Sequence, residues 1–278
     1  MSSSIKSLLG RAEMELRSIA GERAFIEARI LLSRLTKVSK EELIFRENEI
    51  LSSEVEREFG ELVERRKAEE PMSHLLGKKA FYKSEFMVNP SVLIPRPETE
   101  TLVEEVIRWA KSQNRPLKIV DLGTGSGCIG LSLAREIPLS EVSLVDISEQ
   151  AVETAKRNAA QLGVEKLSFF LHDMHQVLDE TFDIIVSNPP YLSESNWCAL
   201  EKGIRDYEPK LALVADHDGL EFYEILLTKW WDKLAQNGLM AFETRDAEQS
   251  EQIQKFMPES LRKSAWVNDC HLFIVKHA

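Results

Sequence analysis

Between residues 117 and 243, short apolar runs with strand character alternate with segments that we interpret as helices. Four such runs lie at 117–121, 142–146, 167–171 and 182–187. Their β-branched and aromatic residues favour buried strands. The segments 128–136 and 149–162 are predicted helices, and Ser148 and Gly163 are suitable residues to begin and end the second one. This alternation predicts an α/β fold with a parallel sheet.

The first of these strands leads into a glycine-rich segment, Gly123-Thr124-Gly125-Ser126-Gly127. In one frame, Gly125, Gly127 and Gly130 match a dinucleotide fingerprint, and Asp146 lies near the ~20-residue offset of a ribose-binding acid. In the other frame, the turn begins at Gly123 directly after the strand, and Gly130 has a close-packing role in the next helix. Both frames predict a nucleoside ligand, with Asp146 accepting hydrogen bonds from ribose hydroxyls.

The two frames differ in the charge of the ligand that meets the loop. A dinucleotide would bring a pyrophosphate to the helix N-terminus. S-adenosylmethionine would instead bring an ammonium, a carboxylate and a sulfonium group. Asp121 lies just before the loop, and its carboxylate suits a cation better than a pyrophosphate.

A second motif, Asn188-Pro189-Pro190-Tyr191, follows the strand at 182–187. The prolines end the strand because neither can donate to a sheet ladder. Asn188 is therefore predicted at the carboxyl end of a strand, where open α/β sheets bind ligands. The Asn188 amide, the Pro189 carbonyl and the flat ring of Tyr191 suit a planar group with N–H donors. The alternative is a proline-stiffened loop in which Tyr191 belongs to the core.

Both motifs open on the same edge of the predicted sheet. A nicotinamide-dependent enzyme would need a proton-transfer group beside Asn188, and the motif supplies none. A methyl donor beside a planar nitrogen accounts for both motifs together, so we interpret the chain as an S-adenosylmethionine-dependent methyltransferase. In this hypothesis Asn188 Oδ1 and the Pro189 carbonyl accept the two hydrogens of a substrate amide, and Tyr191 stacks on its plane.

Residues 1 to about 70 repeat apolar residues at three- and four-residue steps, which predicts a small helical bundle. Gly10 and Gly21 interrupt the pattern, and Ser39 and Ser53 are predicted helix starts. The residues show no motif that suggests chemistry. The bundle therefore serves either as a partner-binding module or simply as packing.

Pro71 ends this region, and short strands at 80–82 and 86–88 predict a linker hairpin. A helix is predicted from Pro97 and another over 219–234. Arg96 is either a solvent-facing loop cation or a brace for the ligand loop. The long segment between the second motif and Pro209 suits a substrate-side lid.

The composition restricts the ligand and the compartment. The net charge is −11, from 35 Lys plus Arg against 46 Asp plus Glu, which does not favour general binding to a phosphate backbone. The basic cluster 65–67 is surrounded by glutamates, so we interpret it as a solvated helix face. His172 and His175 lack a third ligand at a helpful spacing, so no metal site is predicted. Three widely spaced cysteines, the lack of a signal-peptide pattern and the lack of a run of ~20 apolar residues predict a cytoplasmic protein without a membrane span.

Further motifs extend along nearly the whole chain. They are Pro71–Gly77, Leu93–Glu100, Asp121–Ile129, Ser187–Tyr191, Tyr207–Leu213 and Asp218–Leu220. Together with the helical N-terminal region, they resemble the HemK/PrmC family, protein-(glutamine N5) methyltransferases that act on class-I peptide chain release factors. The I-P-R-P-E-T-E run at 94–100 and the Y-E-P-x-x-A-L run at 207–213 are highly specific, whereas N-P-P-Y is shared with DNA adenine methyltransferases.

The resemblance implies a helical N-terminal domain at 1–70 for substrate or partner recognition, a β-hairpin linker at 71–90 and a class I, Rossmann-like methyltransferase domain at 91–278. The residues that it implies for S-adenosylmethionine are Gly123, Thr124, Gly125, Ser126, Gly127, Asp146, Met174 and Asn188. It also implies that Asn188, Pro189, Pro190 and Tyr191 hold the glutamine of the release factor's GGQ motif and carry the catalysis. We expect a monomer that does not bind nucleic acid directly.

Two alternative functions remain open from the sequence. An adenine-N6 or guanine-N2 nucleic-acid methyltransferase would want a basic groove and a target-recognition insertion, and this acidic chain offers neither. A non-catalytic S-adenosylmethionine-binding module would not need the intact N-P-P-Y tetrad. The chain also departs from the family pattern twice. Arg245 stands where a glycine is usual two residues past Glu243, and 268–271 lack the usual glycine-and-arginine ending.

Overall fold

The computed structural model describes residues 3–257, 265–267 and 272–276. The helices are α1 (Ile5–Ala20), α2 (Ala24–Thr36), α3 (Lys40–Phe45), α4 (Ser53–Lys67), α5 (Met72–Leu76), α6 (Glu100–Gln113), α7 (Cys128–Glu136), α8 (Glu149–Leu162), α9 (Glu194–Cys198), α10 (Lys202–Arg205), α11 (Asp216–Gly219), α12 (Glu221–Ile225) and α13 (Ala247–Phe256). The strands are β1 (Lys78–Phe81), β2 (Ser84–Met87), β3 (Lys118–Leu122), β4 (Glu141–Asp146), β5 (Leu167–Leu171), β6 (Phe182–Ser187), β7 (Leu234–Glu243), β8 (Ala265–Val267) and β9 (Leu272–Lys276). Within the described ranges, no helix is both long and apolar enough to cross a bilayer.

The chain forms two compact units. The first contains Met1–Gly77 and Lys202–Tyr207, and the second contains Lys78–Glu201 and Glu208–Ala278. The hairpin β1–β2, which was predicted as a linker, therefore belongs to the second unit. Its strands begin two residues earlier than predicted, because the chain turns at Tyr82, where φ is +52°.

The first unit is built from amphipathic helices whose apolar faces pack together. Leu16, Leu31 and Leu32 are fully buried in its core, and burying such a side chain contributes roughly 1.5–3 kcal/mol. The predicted interruption at Gly10 is wrong, because Gly10 lies inside α1, whereas Gly21 ends that helix with φ +54°. The helical periodicity therefore outweighs the low helix propensity of one internal glycine.

Serine side chains begin several of these helices. Ser39 caps α3 as predicted, by accepting a hydrogen bond from Glu42 N. The predicted start at Ser53 is one residue late, because the cap of α4 is Ser52, which accepts from Val55 N. Such a cap contributes about 1 kcal/mol.

The basic cluster at the end of α4 is engaged with carboxylates of its own unit. Arg66 Nε donates to Glu27 Oε2 at 2.8 Å, and Arg65 Nε donates to Glu70 Oε2 at 2.7 Å. Lys67 pairs with Glu15 and Glu64. The predicted solvated helix face holds for Arg65 and Lys67, but not for Arg66, whose side chain is only 13% exposed.

The second unit contains one large sheet with the strand order β5-β4-β3-β6-β7-β9-β8. Strands β3 to β7 pair in parallel, and β9 runs antiparallel to β7 and β8. The predicted parallel α/β sheet is thus confirmed. The order reverses between the neighbouring strands β3 and β6, and ligands of open α/β sheets bind outside the carboxyl ends of the strands at such a point.

Alternate residues of the central strands enter two apolar layers, one on each face of the sheet. Ile119 and Ile184 pack with α6, α7 and α8, whereas Val120 and Ile185 pack with α12 and α13. All four side chains are fully buried, as expected for a parallel sheet covered on both faces. This packing fixes the register of β3 and β6, because a slip by one residue would exchange the two layers.

The predicted helix over 219–234 is confirmed for residues 221–233, but it begins after a break at Gly219 and is not a regular α-helix throughout. Helix α11 ends at Gly219, and α12 is followed by a π-helical turn at Leu226–Trp230 and a 3₁₀ turn at Trp231–Lys233. Gly219 has φ +86°, and a Cβ at this position would lie 2.2 Å from the carbonyl oxygen of Tyr191. The helix is therefore interrupted where the backbone approaches the N-P-P-Y segment.

Candidate active site

A cavity of ≈ 320 Å³ opens at the carboxyl ends of the central strands, a volume typical of small-molecule sites. Several residues that the sequence predicted for the site line it, namely Gly123, Thr124, Gly125, Ser126, Asp146, Met174, Asn188 and Pro190. Gly127, Pro189 and Tyr191 are not among its lining residues.

The register of β3 and β6 brings the two motifs together. Leu122 pairs with Ser187, and Ser187 Oγ donates to the Leu122 carbonyl at 2.7 Å. The next residues along the two strands are Gly123 and Asn188, so both motifs begin at the same level of adjacent strands. The glycine loop and Asn188 consequently line one cavity.

The glycine loop is shaped by backbone conformation. Gly123, Gly125 and Gly127 have φ of +70°, +55° and +82°, a region that glycine occupies without the steric cost of a Cβ. At Gly127 a Cβ would also lie 2.9 Å from Leu131 Cδ1 and 3.1 Å from the Ala155 Cβ. Gly127 thus allows α7 and α8 to pack closely behind the loop, which accounts for its place outside the cavity lining.

Asp121 lies buried beneath the loop. Its Oδ2 accepts hydrogen bonds from Thr124 Oγ1 at 2.6 Å and from Gly130 N at 2.9 Å. Its Oδ1 has no hydrogen-bond partner in the described part of the chain. Burial raises the pKa of this carboxyl to about 6, against the effect of those two hydrogen bonds. A Cβ at Gly130 would lie 3.0 Å from Asp121 Oδ2, so the predicted close-packing role of Gly130 is confirmed.

Asp146 ends β4 and holds the loop from the opposite side. Its Oδ2 accepts from Gly125 N and its Oδ1 from Ser148 N, both at 2.9 Å. Burial raises the pKa of its carboxyl, while these backbone hydrogen bonds oppose the rise. The side chain remains partly exposed at the cavity, and each oxygen keeps a second lone pair for another donor.

The loop after β5 adds a hydrogen-bonded cluster of Asp173, His175 and Glu221, which we call the His175 clasp. His175 Nδ1 lies 2.7 Å from Asp173 Oδ1, and His175 Nε2 lies 2.8 Å from Glu221 Oε1. Hydrogen bonds to Asp173 and then Glu221 raise the pKa of His175. Behind the clasp, the Met174 carbonyl accepts from Trp230 Nε1 at 2.8 Å. His175 thus joins the β5 loop to α12.

The N-P-P-Y segment is held by its backbone. Tyr191 N donates to the Leu213 carbonyl at 3.2 Å, and the Tyr191 carbonyl accepts from Gln249 Nε2 at 3.0 Å. Gln249 is fully buried, and its Oε1 accepts from Arg245 N at 2.9 Å. The segment that departs from the family pattern at Arg245 is therefore anchored to the N-P-P-Y turn. The second departure, at 268–271, lies outside the described residues.

Two groups near the reaction centre stay protonated at neutral pH. Burial raises the pKa of Tyr191 to about 12. Burial also raises the pKa of Cys128, which lines the cavity, to about 12. Neither the phenol nor the thiol is therefore suited to act as a base or a nucleophile.

Arg96 braces the loop before α6. Its Nη2 donates to Glu208 Oε1 at 2.6 Å, and Ile94 N donates to Glu208 Oε2 at 2.9 Å. The Glu208 side chain is 1% exposed and that of Arg96 29%. Of the two alternatives for Arg96, the solvent-facing cation is wrong, whereas a brace for the ligand loop stays a prediction, because Glu208 belongs to the segment whose Leu213 carbonyl accepts from Tyr191 N. The contact also joins the I-P-R-P-E-T-E and Y-E-P runs, a pairing that no sequence pattern predicted.

Known proteins share both parts of this chain. Residues 7–77 match a model of the PrmC N-terminal domain, and residues 99–202 match the methyltransferase small domain. The release factor glutamine methyltransferase of Bacillus cereus is 34% identical over 236 residues, which cover 83% of each chain. The chain belongs to the release factor glutamine methyltransferase family.

Other members extend the comparison. The release factor glutamine methyltransferase of Neisseria gonorrhoeae is 40% identical over 220 residues, 78% of this chain and 79% of its own length. The bifunctional methyltransferase of Rickettsia prowazekii is 38% identical over 262 residues, 87% of this chain. The chain spans about half the length of that relative, 51%. The predicted family and the predicted α/β methyltransferase domain are confirmed.

The cavity fits S-adenosylmethionine on three observations. The Asp121 carboxylate, with one oxygen lacking a hydrogen bond in the described residues, is fully buried under the loop and does not line the cavity, so its charge favours a cation above the loop without contact. Asp146 keeps acceptor capacity at a partly exposed position. Met174, which is 8% exposed, adds an apolar wall. A pyrophosphate would instead meet the Asp146 carboxylate at the cavity, with the buried charge of Asp121 beneath the loop.

Sequence reasoning missed several residues around the N-P-P-Y segment. Thr99 lines the cavity, and Glu243 and Gln249 lie buried beside it. Thr99 belongs to the I-P-R-P-E-T-E run, and that run was the available signal. Glu243 and Gln249 carried no signal, because only the folded chain brings them next to residues 188–191.

Proposed function

We propose that the protein transfers the methyl group of S-adenosylmethionine to the side-chain amide nitrogen, N5, of the glutamine in the GGQ motif of class-I peptide chain release factors. One observation carries the proposal. Asn188 of the N-P-P-Y motif and the glycine loop begin at the same level of adjacent strands and line one cavity. Relatives at 34–40% identity that are release factor glutamine methyltransferases support the choice of substrate.

On the cofactor side, the backbone of Gly123 to Gly127 would hold the methionyl end, above the Asp121 carboxylate, which is fully buried and does not line the cavity. Asp146 would accept hydrogen bonds from the ribose hydroxyls, and Met174 would contact the adenine. Asn188 lies where it would meet both the cofactor and the substrate. When bound, S-adenosylmethionine supplies an electrophilic methyl group on a positively charged sulfur.

On the substrate side, the difficulty is the amide nitrogen, whose lone pair is delocalised. The peptide rotation barrier of ~18–20 kcal/mol shows the scale of this resonance. Asn188 Oδ1 and the Pro189 carbonyl would accept the two amide hydrogens and direct the nitrogen lone pair at the methyl group. Pro190 keeps this turn rigid, and Tyr191 would stack on the amide plane. Positioning and fixed dipoles would supply most of the rate acceleration.

The proton is proposed to leave to water after the transfer. Tyr191 and Cys128 are neutral at physiological pH because burial raises the pKa of each to about 12. They therefore offer no ionised group to accept it. Catalysis would therefore depend on the geometry of the hydrogen bonds to the substrate amide, and not on a general base.

We further propose that residues 1–70 recognise the release factor, that residues 71–90 connect them to the catalytic domain at 91–278, and that the enzyme works as a monomer in the cytoplasm. A direct role for nucleic acid is not proposed. The net charge of −11 and the carboxylates paired with Arg65, Arg66 and Lys67 support this choice.

Radiolabelled S-adenosylmethionine tests the proposal. The purified chain is incubated with a class-I release factor, with a variant release factor carrying alanine for the GGQ glutamine, and with DNA and RNA. We expect label in the unmodified release factor alone, on the glutamine nitrogen by mass spectrometry. Label in nucleic acid would favour an adenine-N6 or guanine-N2 methyltransferase. Cofactor binding without any transfer would favour a non-catalytic module.

A further inference from the structure

Two buried side chains, Thr99 and Glu243, lie next to the Asn188 side-chain amide, on the side away from β3. Asn188 Nδ2 lies 3.2 Å from Thr99 Oγ1, which in turn donates to Glu243 Oε2 at 2.6 Å. Thr99 is 2% exposed and Glu243 6%, so water competes little for these hydrogen bonds. Asn188 and Glu243 directly follow Ser187 and Phe242, which pair between β6 and β7. The sheet register therefore keeps the carboxylate beside the amide.

The chemistry of the three groups fixes the direction of the hydrogen bonds. An ionised carboxylate only accepts, so the single hydroxyl hydrogen of Thr99 goes to Glu243. The lone pairs of Thr99 then face Asn188, and only the NH₂ group of the amide can satisfy them. Burial raises the pKa of Glu243, while hydrogen bonds from Thr99 and Asn188 oppose the rise. The orientation of the Asn188 amide thus follows from the network and not from the similar shapes of O and NH₂.

We propose that Thr99 and Glu243 are positioning residues that hold the Asn188 amide with Oδ1 available to the hydrogens of the substrate amide. The inference rests on the proposed transfer to glutamine. If the amide were reversed, its N–H donors would face the N–H donors of the substrate. The relay of Asn188, Thr99 and Glu243 prevents this reversal before the substrate arrives.

Replacing Thr99 tests the relay. Thr99→Val keeps the shape and removes the hydroxyl, and Thr99→Ser keeps the hydroxyl. We expect Thr99→Val to lower kcat about 100-fold, the loss typical of a misplaced reacting group, with little change in the Kd for S-adenosylmethionine. Thr99→Ser should restore kcat to within a few-fold of the wild type.

A matched control separates the relay from the general loss of a buried hydroxyl. Thr154 is 4% exposed, donates to the Gln150 carbonyl at 2.8 Å and accepts from Asn89 at 3.1 Å. Thr154→Val should keep a wild-type kcat. Equal kcat values for wild type and Thr99→Val, or equal losses in Thr99→Val and Thr154→Val, would overturn the proposal.

A second readout does not depend on methyl transfer. Hydrogen exchange of the Asn188 side-chain NH₂ group is followed by NMR, with its signal assigned by its loss in Asn188→Ala. We expect slow exchange in the wild type and in Thr99→Ser, and faster exchange in Thr99→Val, in which the Asn188 amide keeps only its hydrogen bond to Glu243. Fast exchange in the wild type would refute the relay. Protected Asn188 protons in an enzyme that methylates no release factor would instead refute the proposed function and leave the relay standing.

The pH profile supplies a third readout, through Glu243→Gln. Charged or titratable groups act on Glu243 from several neighbouring segments, namely Arg96, Glu98, Cys128, Tyr191 and Tyr223. When Glu243 is protonated, its O–H can donate to Thr99 Oγ1. The Thr99 hydroxyl hydrogen is then free to donate to Asn188 Oδ1, which favours the reversed amide. We expect kcat of the wild type to fall as the pH falls through the raised pKa of Glu243. An acid limb that persists unchanged in Glu243→Gln would count against the relay.

Discussion

The two sides of the cavity are built differently. On the proposed cofactor side, the shape comes from backbone, with three glycines at positive φ and the Asp146 carboxylate, which accepts from the loop N–H of Gly125. On the substrate side, it comes from side chains far apart in sequence. Asn188 and Thr99 are 89 positions apart, and Thr99 and Glu243 are 144 apart.

The difference indicates that cofactor binding and methyl transfer can be changed separately by substitution. A loop shaped by its own backbone can bind a cofactor independently of side-chain substitutions at the opposite wall of the cavity. A side-chain network at the substrate wall can align an amide without contributing much to cofactor affinity. Substitutions on the two sides should therefore change different measured quantities.

The largest effect should follow from Asn188→Ala. Removing one preorganised group that contacts the reacting atoms costs about 100- to 1,000-fold in kcat. We expect a loss of this size in single-turnover methylation of a release factor, with the Kd for S-adenosylmethionine within a few-fold of the wild type. A similar loss in both quantities would break the division between the two sides.

The Arg96–Glu208 brace tests whether the substrate side also depends on a buried ion pair. Glu208→Ala removes the partner of Arg96 and of Ile94 N. We expect the free energy of unfolding to fall by about 2–3 kcal/mol, at the lower end for broken buried pairs because Arg96 is partly exposed. Chemical denaturation measures this change. As control, Glu61→Ala in the exposed Arg57–Glu61 pair should cost less than about 0.5 kcal/mol; equal losses would contradict the account.

Gly127→Ala tests the backbone origin of the cofactor side. Placing a Cβ at φ +82° costs about 1–2 kcal/mol, and Leu131 must also move. We expect a lower melting temperature and weaker cofactor binding. Gly163 is a matched control, since it has φ +64° and no atom within 4 Å of an added Cβ. Gly163→Ala should destabilise the fold without changing the Kd for S-adenosylmethionine; a shared change in Kd would refute the assignment.

The smallest effect concerns the His175 clasp. Its pKa is raised in the folded state, so its contribution to stability is fully present below the unfolded pKa of about 6.5 and is lost as pH rises through the folded pKa. The side chain is 41% exposed, so the contribution stays below about 1 kcal/mol. The melting temperature of the wild type relative to His175→Gln should fall as the pH rises from the unfolded pKa of about 6.5 through the raised folded pKa. A difference that grows with pH would contradict this sign.

Sequence alone predicted the parts of the fold that depend on local pattern. The bounds of β6 and α7 and the cap of α8 at Ser148 agree with the structure. The loop glycines were also predictable, because strand, glycines and helix follow each other along the chain. The break at Gly219 was not, since it arises from the approach of the Tyr191 carbonyl.

The same limit explains the residues of the site that were missed. Thr99 was interpreted as part of a helix start, and Glu208 was only part of a family signature. Their roles depend on contacts with Glu243 and Arg96 that form across the folded sheet unit. A pattern read along one strand or helix contains no information about such partners.

A crystal structure with S-adenosylhomocysteine bound tests the central claim most directly. The account predicts that the homocysteine end lies against the Gly123–Gly127 loop and that the sulfur faces Asn188, with room for a methyl group and a planar amide at a reacting distance of about 3–3.5 Å. A structure in which the sulfur faces away from Asn188, and in which the Asn188 side-chain amide contacts only other protein groups, would contradict the account.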